Sequence, residues 1–141
     1  VRKVRGRKSK LHDKIRLAKG NAFVPEMFGA DGVIAFVNEG FTESYASFRN
    51  FMDNHNGKTK FAVYSYNNEI NQRPCLEEYA GIVTEVMNAM AKAEIKVVVM
   101  PPLNGIGGTS EEKLKTLEEG VASWLKANPE CSIQKVYIAT F

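Results

Sequence analysis

The run Val97-Val98-Val99-Met100-Pro101-Pro102-Leu103-Asn104-Gly105-Ile106-Gly107-Gly108-Thr109-Ser110-Glu111-Glu112 decides how this chain is read. Its β-branched opening reads as a buried strand. Two prolines end that strand and three glycines follow within four residues. Thr109, with Glu112 three positions later, is a helix-start signal. Strand, glycine loop and helix N-terminus together make a place for phosphate. Glycine lets main-chain N–H groups turn toward an anion, and the first helical turn adds unpaired N–H groups and a partial positive charge. A plain strand-to-helix turn uses the same residues, so the rest of the chain has to arbitrate.

Working outward, apolar periodicity divides the chain into alternating strands and helices. Lys14–Lys19 alternates Ile15 and Leu17 with polar neighbours, as a half-buried strand does, and stops at Gly20-Asn21. Gly32–Asn38 is a continuous apolar run, the pattern of a central strand. Thr42–Asn54 places Tyr45, Phe48, Phe51 and Met52 at helical spacing, a stripe read as core. A turn at Asn54–Gly57 leads to a strand over Lys60–Tyr66, and Asn67–Pro74 is polar and irregular. Leu76, Tyr79, Val83, Val86, Met87 and Met90 mark one face of a helix ending near Ala93, before a strand at Ile95–Met100. Leu114, Leu117, Val121, Trp124 and Leu125 mark a second long helix, with Trp124 assigned to packing, and Ile133–Phe141 is the last strand.

This alternation predicts a three-layer α/β/α architecture around a mixed, largely parallel central sheet. Ligands of such sheets bind at the carboxyl ends of the strands. That rule gathers Asn21, Asn38, Asn67 and Gly105–Gly108 on one rim, because each follows a strand, and it favours the phosphate reading of the glycine loop.

Composition bounds what the domain can be. The chain has 141 residues, 44% apolar and 25% charged, ordinary for one globular domain. No apolar run approaches the ~20 residues that span a membrane, and Val1–Lys10 is too charged for a secretory leader. Cys75 and Cys131 stand far apart and outside any metal-ligand spacing, and His12 and His55 are the only histidines. Two lone thiols in a reducing intracellular compartment, cytoplasmic or nuclear, are expected, and neither a metal site nor a cofactor is called for.

The net charge of +3 conceals a division, because 6 of the 19 basic residues fall in Val1–Lys10. We therefore separate a basic, flexible arm over residues 1–12 from a domain over residues 13–141. Such an arm serves as a solubilising tail or as a nucleic-acid contact through Arg2–Lys10 acting on phosphates.

From Lys19 to Phe141 the sequence resembles a macrodomain, the module that binds ADP-ribose and related nucleotides. The resemblance rests on four segments in order. Lys19-Gly20-Asn21-Ala22-Phe23 is like the family's "GD" segment, and Val33–Asn38 like its "aivN" strand. Pro101–Gly108 is like its phosphate loop, and Ser132–Phe141 like its closing strand. The polar stretch around Asn67–Met90 is closest to the branch containing ADP-ribosyl-ester hydrolases and bacterial toxin antidotes. The resemblance implies phosphate held by Asn104, Gly105, Ile106, Gly107 and Gly108, and the base met by Asn21 and Ala22. It implies contact with the distal ribose from Asn38, with Phe41 covering it.

The departures from the family pattern are chemical. Asn21 stands where aspartate accepts a hydrogen bond from the adenine amino group. Glu39 and Glu43 lie where the family has a glycine-rich loop, and each would repel a nearby diphosphate by ~1 kcal/mol. The lysine and aspartate of the ester-hydrolysing branch are replaced by Asn67-Asn68 and Gly108-Thr109, so no catalytic residue is assigned. Glu111 and Glu112, the nearest carboxylates, suit the first turn of a helix. Three readings follow: a binding module for ADP-ribose or a related nucleotide, a degenerate macrodomain acting on nucleic acid or protein, and a weak phosphatase or glycohydrolase of ADP-ribose derivatives.

Overall fold

The computed structural model describes residues 4–38, 46–55, 57–66, 78–102 and 110–140. Among these residues six strands form one sheet: β1 (Arg7–Lys8), β2 (Ile15–Lys19), β3 (Gly32–Asn38), β4 (Lys60–Tyr66), β5 (Val97–Met100) and β6 (Lys135–Thr140). Three α-helices alternate with them, α1 (Ala46–Asn54), α2 (Tyr79–Lys92) and α3 (Ser110–Ala127), and a 3₁₀ turn covers Pro25–Phe28. The spatial order is β1-β2-β6-β5-β3-β4. All neighbours are parallel except β1 with β2. The mixed, largely parallel sheet expected from the sequence is therefore the one observed.

Period-two alternation sends successive side chains of each strand into different layers. Ile34 and Phe36 of β3, Val98 and Met100 of β5, and Val136 and Ile138 of β6 pack with α2 and α3. Val33 and Ala35, Val99, and Tyr137 and Ala139 pack on the other face with α1 and the 3₁₀ turn. The central strands are buried on both faces, which is why they read as unbroken apolar runs. Trp124 is buried as expected, and its indole N–H donates to Asn88 Oδ1 at 2.9 Å, tying α3 to α2. Of the aromatic stripe on α1, Phe48 and Phe51 enter the core while Met52 turns outward.

At the amino-terminal edge of the sheet, Asp31 joins three strands. Its carboxylate accepts from Val97 N at 2.7 Å and from Lys96 N at 3.1 and 3.2 Å. Its main chain bonds Val97 O and Lys60 N. Gly32 follows because a Cβ there would stand 2.6 Å from Ile95 Cγ2. Ile95, expected inside the strand, instead belongs to the close of α2. Its N–H bonds Met90 O and the Glu94 N–H bonds Ala91 O, while Glu94 adopts φ +59°. This is a Schellman close with glutamate in the position that glycine usually holds.

Residues 1–12, set apart from the domain in the sequence, carry regular structure in part. Arg7 and Lys8 pair antiparallel with Leu17 and Arg16. Gly6 permits the approach, since a Cβ would meet Arg16 Cβ at 2.6 Å. Ser9 is buried and its hydroxyl bonds Glu118 of α3. A short charged strand carries no apolar alternation, so its pairing had no sequence signal.

Candidate functional site

Because β2 to β6 are parallel, Lys19, Asn38, Tyr66, Met100 and Thr140 end along one rim. The strands do not all reach it. β3 pairs with β4 over its whole length, Gly32 to Asn38, but with β5 only at Gly32↔Val98 and Val33↔Val99. On the other side β6 leaves β5 at Ile138↔Met100 and continues beside β2 to Thr140↔Lys19. Among the described residues the short β5 thus leaves a notch in the rim, with β3 as one wall, β6 as the other and Met100-Pro101 at its floor. Proline supplies no N–H to a strand ladder, so the two prolines account for the early stop.

Chain connections diverge at this notch. From β3 the chain proceeds through α1 to β4 on one side, and from β5 through α3 to β6 on the other. Adjacent strands with oppositely directed connections are where open α/β sheets leave a crevice for ligands.

Two of the residues selected from sequence flank the notch. Asn38 is the last residue of β3, opposite Tyr66. Asn21 follows Gly20, whose N–H bonds Thr140 O at 2.8 Å, and so stands on the β6 side. Asn21 is half-buried, and its Oδ1 accepts from Phe23 N at 2.9 Å while its carbonyl accepts from Val24 N. Ala22 is 1% exposed, which leaves only its main chain to offer a ligand. Phe41, Asn104, Gly105, Ile106, Gly107 and Gly108 lie outside the described residues, as do Glu39, Glu43 and Asn67. Glu111 and Glu112 occupy the first turn of α3, where carboxylates complement the helix dipole.

A feature that sequence reading missed adjoins Asn21. A hollow of about 250 Å³ lies between residues 21–26 and α1, floored by Phe23 and Phe51 and edged by Asn50, Asn54, His55 and Thr59. Asn50 and Asn54 sit one helical turn apart on α1, a polar spacing that could have signalled this edge. His55 stacks on Phe51 at 5.3 Å between ring centres, and its Nδ1 accepts from Gly57 N. His12 Nδ1 likewise accepts from Lys14 N. Each imidazole thus holds a turn. Among the described residues no cluster of histidine, cysteine, aspartate or glutamate is arranged to hold a metal ion, and no helix is long and apolar enough to cross a membrane.

No protein-family model and no curated protein matches the sequence. Solved structures do match the fold. The chain is similar to the macro domain of ganglioside induced differentiation associated protein 2, with a TM-score of 0.64 and 12% identity over 95% of this chain and 81% of that one. It is similar to a Trypanosoma brucei macrodomain determined in complex with ADP-ribose, with a TM-score of 0.58 and 7% identity over 93% of this chain and 65% of that one. The macrodomain of Thermus aquaticus DarG gives 0.57 and 11% over 90% of this chain and 97% of that one. At these identities the likeness is one of architecture. The chain has the macrodomain fold.

Proposed function

We propose that this macrodomain-fold chain binds ADP-ribose or a related nucleotide at the notch between β3 and β6. One observation supports the reading: among the described residues β5 stops short of β3 and β6 at the rim, in a fold shared with a macrodomain determined in complex with ADP-ribose. In this reading the main-chain N–H groups of Gly105, Ile106, Gly107 and Gly108, with Asn104, hold the diphosphate just beyond Pro101-Pro102. Asn21 and the Ala22 main chain meet the base, Asn38 meets the distal ribose and Phe41 covers it. Recognition works through neutral donors and acceptors, which suits a binding module.

Thermal unfolding in the presence of ADP-ribose, ADP and ribose 5-phosphate tests this. A ligand present at a hundred times its Kd adds about 2.7 kcal/mol. For a domain of this size that raises Tm by about 5–10 °C. A rise with ADP-ribose exceeding that with either fragment supports the proposal. An unchanged Tm with all three at millimolar concentration removes it.

A further inference from the structure

Nine of the nineteen basic residues, but only one of the sixteen acidic residues, fall in the first nineteen positions. Among the described residues, Arg7, Lys8 and Arg16 of that set stand on the paired strands at one edge of the sheet, with Arg5 and Lys10 flanking β1. β1 is the outermost strand, and its register sets Lys8 directly opposite Arg16, two cations on neighbouring strands. Like charges in that position oppose the pairing. Nothing in the described structure neutralises them. The Arg16 guanidinium donates to the main-chain carbonyls of Asp13 and Ile15, and Lys14 Nζ donates to the Ile133 carbonyl at 2.9 Å. These acceptors are uncharged. Two carboxylates of α3 border the same edge beside Arg7, Lys8 and Lys10: Glu118 accepts from the Ser9 hydroxyl and Glu119 stands 4.0 Å from Lys115, so neither is ion-paired with Lys8 or Arg16. Arg5, Arg7, Lys8 and Lys10 are all exposed.

We infer that the β1–β2 edge binds the phosphodiester backbone of a nucleic acid, with Lys8 and Arg16 at its centre and Lys10 and Arg5 beside them. Arg7 and Lys8 on the strand and Lys10 in the bend just after it place exposed cations one after another along the edge, as a linear polyanion requires. Cations on both faces of a free edge strand suit a strand of phosphates better than a flat lipid surface, which would engage one face alone. No aromatic side chain lies along the segment Val4–Lys10. Binding is therefore electrostatic and indifferent to base sequence. The inference is separate from the nucleotide site, which lies at the strand ends.

The test is fluorescence anisotropy of the full chain with a labelled 20-nucleotide DNA of mixed sequence across a salt series. The affinity is expected to fall steeply with salt. The double variant Lys8→Gln/Arg16→Gln should bind about tenfold more weakly at 100 mM salt and show a shallower slope, having lost two phosphate contacts. Its Tm should hold or rise, because a repulsive pair has been removed, and its response to ADP-ribose should be unchanged. The single variant Lys10→Gln, at an exposed position, should weaken DNA binding by a smaller factor. No binding by the parent chain, equal binding by all the variants, or a lower Tm with lost binding overturns the inference. So does capture by phosphatidylserine vesicles without capture of the oligonucleotide.

Discussion

Asn21 Oδ1 accepts the main-chain N–H of Phe23 at 2.9 Å, and this bond closes the turn that lifts the chain from the end of β2 toward the 3₁₀ turn. A residue read from sequence as a base contact therefore also has a structural occupation. The two can be separated by chemistry. A carbonyl oxygen has a second lone pair, and a carboxylate in its place keeps the acceptor while adding charge.

Asn21→Asp is expected to leave folding stability within about 0.5 kcal/mol of the parent, because the turn keeps its acceptor. Its affinity for ADP-ribose should rise several-fold, since a charge-assisted hydrogen bond is roughly twice as strong as a neutral one. Asn21→Ala should lose about 1 kcal/mol of stability and weaken the ligand as well. Urea denaturation read beside calorimetry distinguishes these effects. Equal affinity for parent and Asp variant would confine Asn21 to the turn.

Asp31 supports the floor from the opposite end of the sheet, holding the Lys96 and Val97 amides so that β5 starts in register with β3. Asp31→Ala leaves those amides without their charged acceptor and is expected to cost about 2 kcal/mol. Tm should drop by about 4–8 °C. An unchanged Tm would show that the carboxylate contributes nothing to the junction.

Glu94 sits at φ +59°, a conformation that glycine adopts without the Cβ penalty. Glu94→Gly should therefore stabilise the close of α2 by about 0.5–1 kcal/mol, with the unchanged m-value of a local effect. A loss of stability in urea would mean that the glutamate side chain contributes more than its backbone strain costs.

The layers and the parallel sheet were legible because burial on both faces leaves continuous apolar runs such as Val33–Val37 and Val97–Met100. The helix faces were legible from their period, and Phe48 and Leu117 are in the core as that period requires. Strand β1 was not. Arg7 and Lys8 are ordered by partners distant in sequence, a ladder with β2 and the Ser9–Glu118 bond, for which local pattern has no sign. Ile95 was misplaced because an apolar residue closing a helix looks the same as one opening a strand. Of the proposed site, sequence correctly set Asn38 at the end of β3 and Asn21 just past β2, because each closes an apolar run. The notch itself depends on how far β3 and β6 run past β5, a matter of register that no single strand encodes. The hollow beside Asn21 depends on how α1 packs against the turn after β2.

Isothermal titration of ADP-ribose into the full chain tests the central claim most directly. Saturable one-to-one binding with a Kd below about 100 µM, corresponding to roughly −5.5 kcal/mol or better, is the predicted result. Absence of heat at millimolar ligand, confirmed at a second temperature so that a vanishing enthalpy is not mistaken for no binding, would contradict it.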